Sequence, residues 1–459
     1  MKRIMGLWAA CCCLWATTLQ AKTIDIVSLG AKGDGQTDNT GILQRAIDAC
    51  SEETGTVIVP AGKFVTGPVR MKSNVNLHLE FGAVLLGVTR LEAYHAAFPP
   101  SEGRRRTPAL IFAENQENIA VTGYGTIDGQ GGHKTFQHGN DADGGPARPK
   151  IIYFAGCKNV RVQDIHLRNA AYWTQHYEGC DGVVIRGVSV YSHCNYNNDG
   201  LDIDSKNVRV SDCYIDTDDD ALCLKSEGAS PCENVAITNC VLGSNCNAFK
   251  LGTASTGGFK NIAFSNCVIR KASEENFRHW RTHPETAFIR VTQDTSVISG
   301  IALEAVDGGV LDGVVISNVV MTDVQTPLFI RLGDRRRPYS GNRASVLRNV
   351  HVSHVVARAV SALSSSITGI PGNCVENVCI SNMQVTVPGG GTAPEAEAAV
   401  PEAEKSYPEN RMFGQVLPAS GFYVRHARNI RFDNVRVIAA TPDARPAFVY
   451  DDVRNDSCK

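Results

Sequence analysis

The sequence predicts an all-β chain, a parallel β-helix closed at its N-terminal end by one short helix. The first observation is a recurring phrase, Asn then Val or Ile, then alternating apolar residues. It reads Lys206-Asn207-Val208-Arg209-Val210, Glu233-Asn234-Val235-Ala236-Ile237 and Lys260-Asn261-Ile262-Ala263-Phe264, and returns at Asn159, Asn349, Asn377 and Asn429. The second is its period. Asn207 to Asn234 and Asn234 to Asn261 are both steps of 27 residues, and Cys213, Cys240 and Cys267 keep the same step. Fixed-period similarity without a helical pattern between the strands marks a solenoid. Each coil then buries its apolar alternates and stacks side chains about 4.8 Å above their equivalents.

Taken in order, residues 1–21 pair a basic start, Lys2-Arg3, with a short apolar stretch and Leu19-Gln20-Ala21, the pattern of a cleaved secretory signal. This places the chain outside the cytoplasm, secreted or periplasmic. A lipoprotein cysteine at Cys11 is the lesser reading, because the apolar stretch before it is short. A strand follows at Thr23–Val27, then a helix with apolar Ile42, Leu43, Ala46, Ile47 and Cys50 behind an N-cap at Asp38. A helix ahead of a β-solenoid serves to plug its open core. Residues 131–150 form a loop rich in Gly, His and Asp. Its His133, His138, Asp141 and Asp143 lack metal-ligand spacing and read as solvated. Residues 388–405 read as a flexible acidic insertion, and the apolar pattern resumes at Phe422, so 22–459 is one domain.

Composition sets limits. A net charge of −2 supplies no field for nucleic acid, and no later apolar run is long enough to span a bilayer. Sixteen cysteines in 459 residues need not be disulfides, since a chain of this length buries a core without staples. Cys213, Cys240 and Cys267 read as a stacked ladder of small apolar side chains. A disulfide at Cys194 or Cys458 stays open.

The chemistry is carried by acids. Asn198-Asp199-Gly200-Leu201-Asp202 is followed about one coil later by Asp218-Asp219-Asp220. Carboxylates on adjacent rungs repel and raise one another's pKa, an arrangement kept for metal binding or acid–base work. Asp202 and Asp218 read equally well as turn residues. Leu222 and Leu224 alternate inward, which sets Lys225 toward the acids, and Phe249 and Leu251 do the same for Lys250. Both lysines suit an anionic ligand or a structural pairing with the acids. The 27-residue step places Asn247 over Asp220. Arg278, His279, Arg281 and Arg331 are further cationic candidates, while Arg335-Arg336-Arg337 reads as a solvated loop.

With Gly30-Ala31-Lys32-Gly33-Asp34-Gly35, Thr37-Asp38 and Gly125-Thr126-Ile127-Asp128-Gly129-Gln130-Gly131 added to the acidic motifs, the sequence resembles the polygalacturonases of glycoside hydrolase family 28. The resemblance runs from about residue 22 to the C-terminus and is strongest over 150–270. It implies a right-handed β-helix, a pectic polysaccharide or oligosaccharide as partner, inverting hydrolysis of α-linked galacturonate bonds, and no metal or other cofactor. Carried over, Asp219 is the general acid, with Asp199 and Asp220 holding and deprotonating the water. The substrate-binding set is then Lys225, Lys250, Asn247, Arg278 and Arg331. Two family features are missing: the Gly-His-Gly segment, replaced by Cys246–Gly252, and the later Arg-Ile-Lys motif. Rhamnogalacturonan is therefore as good a substrate as polygalacturonan, and the chain is expected to act as a monomer. A calcium-dependent pectic lyase and a non-catalytic glycan-binding β-helix remain the alternatives.

Overall fold

A computed structural model describes residues 21–98, 108–136, 148–275, 296–337 and 340–455. Every pairing between its strands is parallel, and the strands stack coil upon coil. The register is continuous. One row runs Arg70, Phe112, Tyr153, His176, Asp202, Cys223, Lys250, Ala302, Phe329, Ser366, Tyr423, Val449, one residue from each of twelve successive turns. The fold is a parallel β-helix.

The Asn phrase has a backbone cause. Asn118, Asn159, Asn207, Asn234, Asn261, Asn349, Asn377 and Asn429 all sit at positive φ, between 50° and 57°. Asparagine is among the few L-residues that tolerate this left-handed conformation. Where the ladder lacks Asn, at positions 182 and 313, the residue is Gly with φ of 77°. The amides also bond from coil to coil: Asn234 Nδ2 donates to Asn207 Oδ1 at 3.1 Å, and Asn261 Nδ2 to Asn234 Oδ1 at 3.0 Å. Each Asn turns the chain between two faces, and the Val or Ile after it enters the core.

The apolar alternates form one continuous core from Ile26 to Ile430. Cys213, Cys240 and Cys267 lie inside it, and their row continues as Val319, Val355 and Met383. The described cysteines, Cys194 included, are free thiols, and Cys458 lies outside the described residues. Helix α1 (Thr40–Ser51) buries Leu43, Ala46, Ile47 and Cys50 against the first coils. Its N-cap is Asn39 rather than Asp38, although Asp38 Oδ1 still accepts from Thr40 N at 3.0 Å. Among the described residues no helix is long and apolar enough to cross a membrane. The expected signal segment and His138, Asp141 and Asp143 lie outside the described residues.

The acidic insertion makes contacts that its composition does not announce. It holds a short helix, α2 (Ala393–Ala396), started by a capping box between Thr392 and Glu395. Beyond it Glu402 pairs with Arg425 and with His426 Nε2 at 3.1 Å. Val400 packs on a second apolar cluster outside the coil, formed by Ala302, Phe329, Leu363, Phe413 and Tyr423. Low-complexity composition hid these anchors, because they belong to distant coils.

Candidate functional site

Asp199 stands in the turn that enters strand 201–211, and Asp219 and Asp220 in the equivalent turn one coil later. Backbone bonds lock the two turns: Gly200 N donates to Asp220 O at 2.9 Å and Leu201 N to Ala221 O at 3.0 Å. Gly200 is required here. A Cβ on it would stand 2.4 Å from Ile215 Cγ2 and 2.6 Å from Ala221 O. The acidic turns are thus pressed together by stacking, and their charges must be managed by neighbours.

A cavity of about 150 Å³ opens over these turns. Asp199, Asp219, Asp220, Lys225 and Lys250 line it, with Tyr172, Trp173, Asn197, Glu227, Thr253, Arg337 and Tyr407. Lys225 Nζ lies 3.4 Å from Asp199 Oδ2 and 3.1 Å from Asp202 Oδ1, and Lys250 Nζ lies 3.2 Å from Asp220 Oδ2. The 27-residue step held for Asn247, whose backbone N and Nδ2 both donate to Asp220 Oδ1, at 3.1 and 2.7 Å. Asp219 Oδ1 accepts from Asp220 N at 2.9 Å, and Asn197 Nδ2 reaches Asp219 Oδ2 at 3.4 Å.

These contacts split the carboxylates. Burial raises the pKa of Asp199, with Asp202 and Asp219 adding repulsion. Burial and then Asp220 raise Asp219. Asp220 is also pushed up by burial, but Lys250, Lys225 and the Asn247 amide outweigh this and hold it below the usual carboxylate range. Asp202, fully buried, rises to about 6 despite Lys225. Burial would discharge both lysines, but the surrounding acids raise their pKa well above normal, so both stay cationic. One group in the cavity therefore favours its proton while its chain neighbour favours ionisation, the arrangement that acid–base chemistry needs.

The lysines are thereby committed. Stripping one partner from a buried ion pair costs about 3–5 kcal/mol, against about 0–1 kcal/mol for an exposed one. Lys225 and Lys250 are 8% and 3% exposed at the side chain and fall in the first class. Arg331 does not line the cavity. It is buried, and its guanidinium donates to the carbonyls of Gly369 and Glu402 at 3.0 and 2.8 Å, which makes it an anchor for the insertion. Arg278, His279 and Arg281 lie outside the described residues. The arginine run is not uniformly solvated: Arg335 pairs with Asp307 and Arg336 with Asp334, while Arg337 reaches the cavity.

Other lining residues had weaker signals. Trp173 precedes Asp199 by 26 residues, about one coil, and Thr174 N donates to Asp199 O at 2.7 Å, so the period could have found it. Its ring carries Lys225 Nζ 4.4 Å from the centroid. Tyr407 comes from the loop after α2, outside any repeat, and its hydroxyl meets Thr253 Oγ1 at 3.0 Å. Asp202 is a full member of the cluster rather than a turn residue. Asp218 is turned away, accepting from Asn245 Nδ2 at 3.0 Å. The donors also bear on a metal. Asp219, Asp220 and Cys246 bring one ligand atom each within 4.8 Å of one another. Burial keeps the Cys246 thiol protonated, a poor partner for a hard ion such as calcium.

The family model for glycosyl hydrolases family 28 matches residues 50–277, the segment that holds both acidic turns, Lys225, Asn247 and Lys250. The chain belongs to this family over those residues. A probable polygalacturonase of Vitis vinifera is 33% identical over 225 residues, 46% of this chain and 46% of its own length. An exo-poly-α-D-galacturonosidase of Dickeya chrysanthemi is 30% identical over 257 residues, 45% of this chain and 42% of its own. The chain thus spans about half the length of the curated relatives it matches. The crystal structure of an exopolygalacturonase from Thermotoga maritima superposes with a TM-score of 0.70 at 22% identity, covering 91% of this chain and 92% of that one. At that identity the likeness shows the fold alone, a parallel β-helix over nearly the whole chain.

Proposed function

We propose that the protein is a glycosidase that hydrolyses α-linked galacturonate bonds of pectic polysaccharide with inversion, exported by its N-terminal segment and active as a monomer. The observation that carries the reading is the split within one cavity: Asp219 raised by burial and Asp220, Asp220 lowered by Lys250, Lys225 and Asn247. In this reading Asp219 protonates the leaving glycosidic oxygen. Asp199 and Asp220 hold a water on the opposite face of the sugar, and Asp220 takes its proton as the anomeric carbon is attacked. Asn247, occupying the place of the family's histidine, orients Asp220 through two hydrogen bonds. Lys225 and Lys250 offset the repulsion among the acids and keep Asp220 ionised. A polygalacturonan or rhamnogalacturonan backbone would supply the substrate.

The test is product analysis from a panel of pectic oligosaccharides, with the anomer followed by proton NMR. Saturated uronate products released with inversion are expected. Unsaturated, ultraviolet-absorbing products that vanish with a chelator would make the protein a lyase, and binding without turnover would make it a glycan-binding module.

A further inference from the structure

We infer that Arg337 is the residue that recognises the carboxylate of the sugar in the cavity. The inference rests on the hydrolase reading above. A uronate brings a further negative charge to a cavity already lined by Asp199, Asp219, Asp220 and Glu227, so its carboxylate needs a cation whose charge is not already spent. Lys225 and Lys250 are spent on Asp199, Asp202 and Asp220, in buried pairs. Among the described residues that line the cavity, the remaining cation is Arg337. Its ion pair with Glu227 is a long one, 3.4 Å from Nη1 to Oε1, with the two side chains 35% and 41% exposed. A substrate carboxylate can replace Glu227 there at little cost, because an exposed pair of that length is weak and Glu227 returns to water. The planar guanidinium also offers two parallel N–H donors to a carboxylate.

The backbone around Arg337 is held for the purpose. Asp334 N donates to Glu404 O at 2.7 Å, Arg336 N to Val306 O at 3.2 Å, and Arg335 pairs with Asp307. The Asp334–Glu404 bond ties this loop to the segment that brings Tyr407 into the cavity lining. Cation and aromatic ring are therefore positioned together by elements outside the repeating coil.

The experiment measures kcat/KM, and Kd by calorimetry, for trigalacturonate and for its methyl ester. Wild type, Arg337→Gln, Arg337→Lys and Arg336→Gln are compared. The wild type should prefer the free acid. Arg337→Gln should cut that preference about 10- to 150-fold, the range of a charge-assisted hydrogen bond, chiefly through KM. Arg337→Lys should retain part of it, and Arg336→Gln all of it. An unchanged acid-to-ester ratio in Arg337→Gln, or a wild type indifferent to esterification, overturns the inference. A wild type that binds trigalacturonate without cleaving it sinks the hydrolase reading instead, and the Kd ratios then decide Arg337.

Discussion

The outer turns and the cavity row are built on the same backbone period, yet their sequences behave in opposite ways. At the turns, one left-handed conformation recurs in coil after coil, with φ of 50–57° at Asn and 77° at Gly. Along the row through His176, Asp202, Cys223, Lys250 and Ala302 the register is equally regular, but the residue type changes at every step. An extended strand accepts almost any side chain, whereas a left-handed turn does not. Repetition therefore reports what the backbone demands, and its loss on one face reports where side chains are free to do chemistry.

That contrast can be broken most severely in the cavity. Asp219→Asn should lower kcat by about 10²–10⁴-fold, the usual worth of a general acid, with substrate binding and melting temperature little changed. Near-normal turnover would remove Asp219 from the role. Lys250→Met should act on Asp220 rather than on the substrate. Losing the cation raises the pKa of Asp220, so the base ionises only at higher pH, and Asp219 loses the same restraint. Both limbs of the kcat/KM profile should move to higher pH, by similar amounts on acid and ester substrates. The variant should also lose about 3–5 kcal/mol of stability at neutral pH, as for a buried pair that loses one partner. Unmoved limbs with a loss confined to the acidic substrate would return Lys250 to direct recognition.

Glu304 offers a smaller effect of known sign. It is buried in the next coil toward the C-terminus, and burial pushes its pKa up to about 7 despite Lys250. Its folded form holds a proton that the unfolded chain releases near pH 4.5. It therefore draws down stability as pH rises from that value through 7. Glu304→Gln should raise the melting temperature at pH 8 more than at pH 5, and equal shifts would show that the carboxyl is not protonated in the fold. The smallest effect belongs to the turns. Asn234→Ala should cost about 1–2 kcal/mol in urea unfolding, the strain of an ordinary residue in the left-handed region, and Asn234→Gly distinctly less. Equal losses would assign the ladder's worth to its amide bonds instead of its backbone.

Legibility in the sequence followed the same division. The coil was readable because Asn159, Asn207 and their equivalents are tied to a backbone conformation. The two acidic turns were readable because they lie about one period apart, and Asn247 over Asp220 followed by addition. Side-chain direction was readable for Lys225 and Lys250, but their pairing was not, since choosing between a substrate and Asp220 needs distances. Arg337 and Tyr407 were illegible for a different reason. They are delivered by segments between coils, where no period applies. The contacts of the insertion at 388–405 were illegible too, because its partners Arg331, Arg425 and His426 belong to other coils.

The place of the acidic turns along the stack has a consequence of its own. Asp202 and Cys223, whose strands they enter, stand fifth and sixth in the row of twelve, so several coils cover them on either side. In a quasi-one-dimensional array each coil leans only on its neighbours, and opening spreads inward from exposed ends. Amide protons of residues 201–224 should therefore be among the last to exchange with solvent, while the terminal coils fray and re-form around an intact centre.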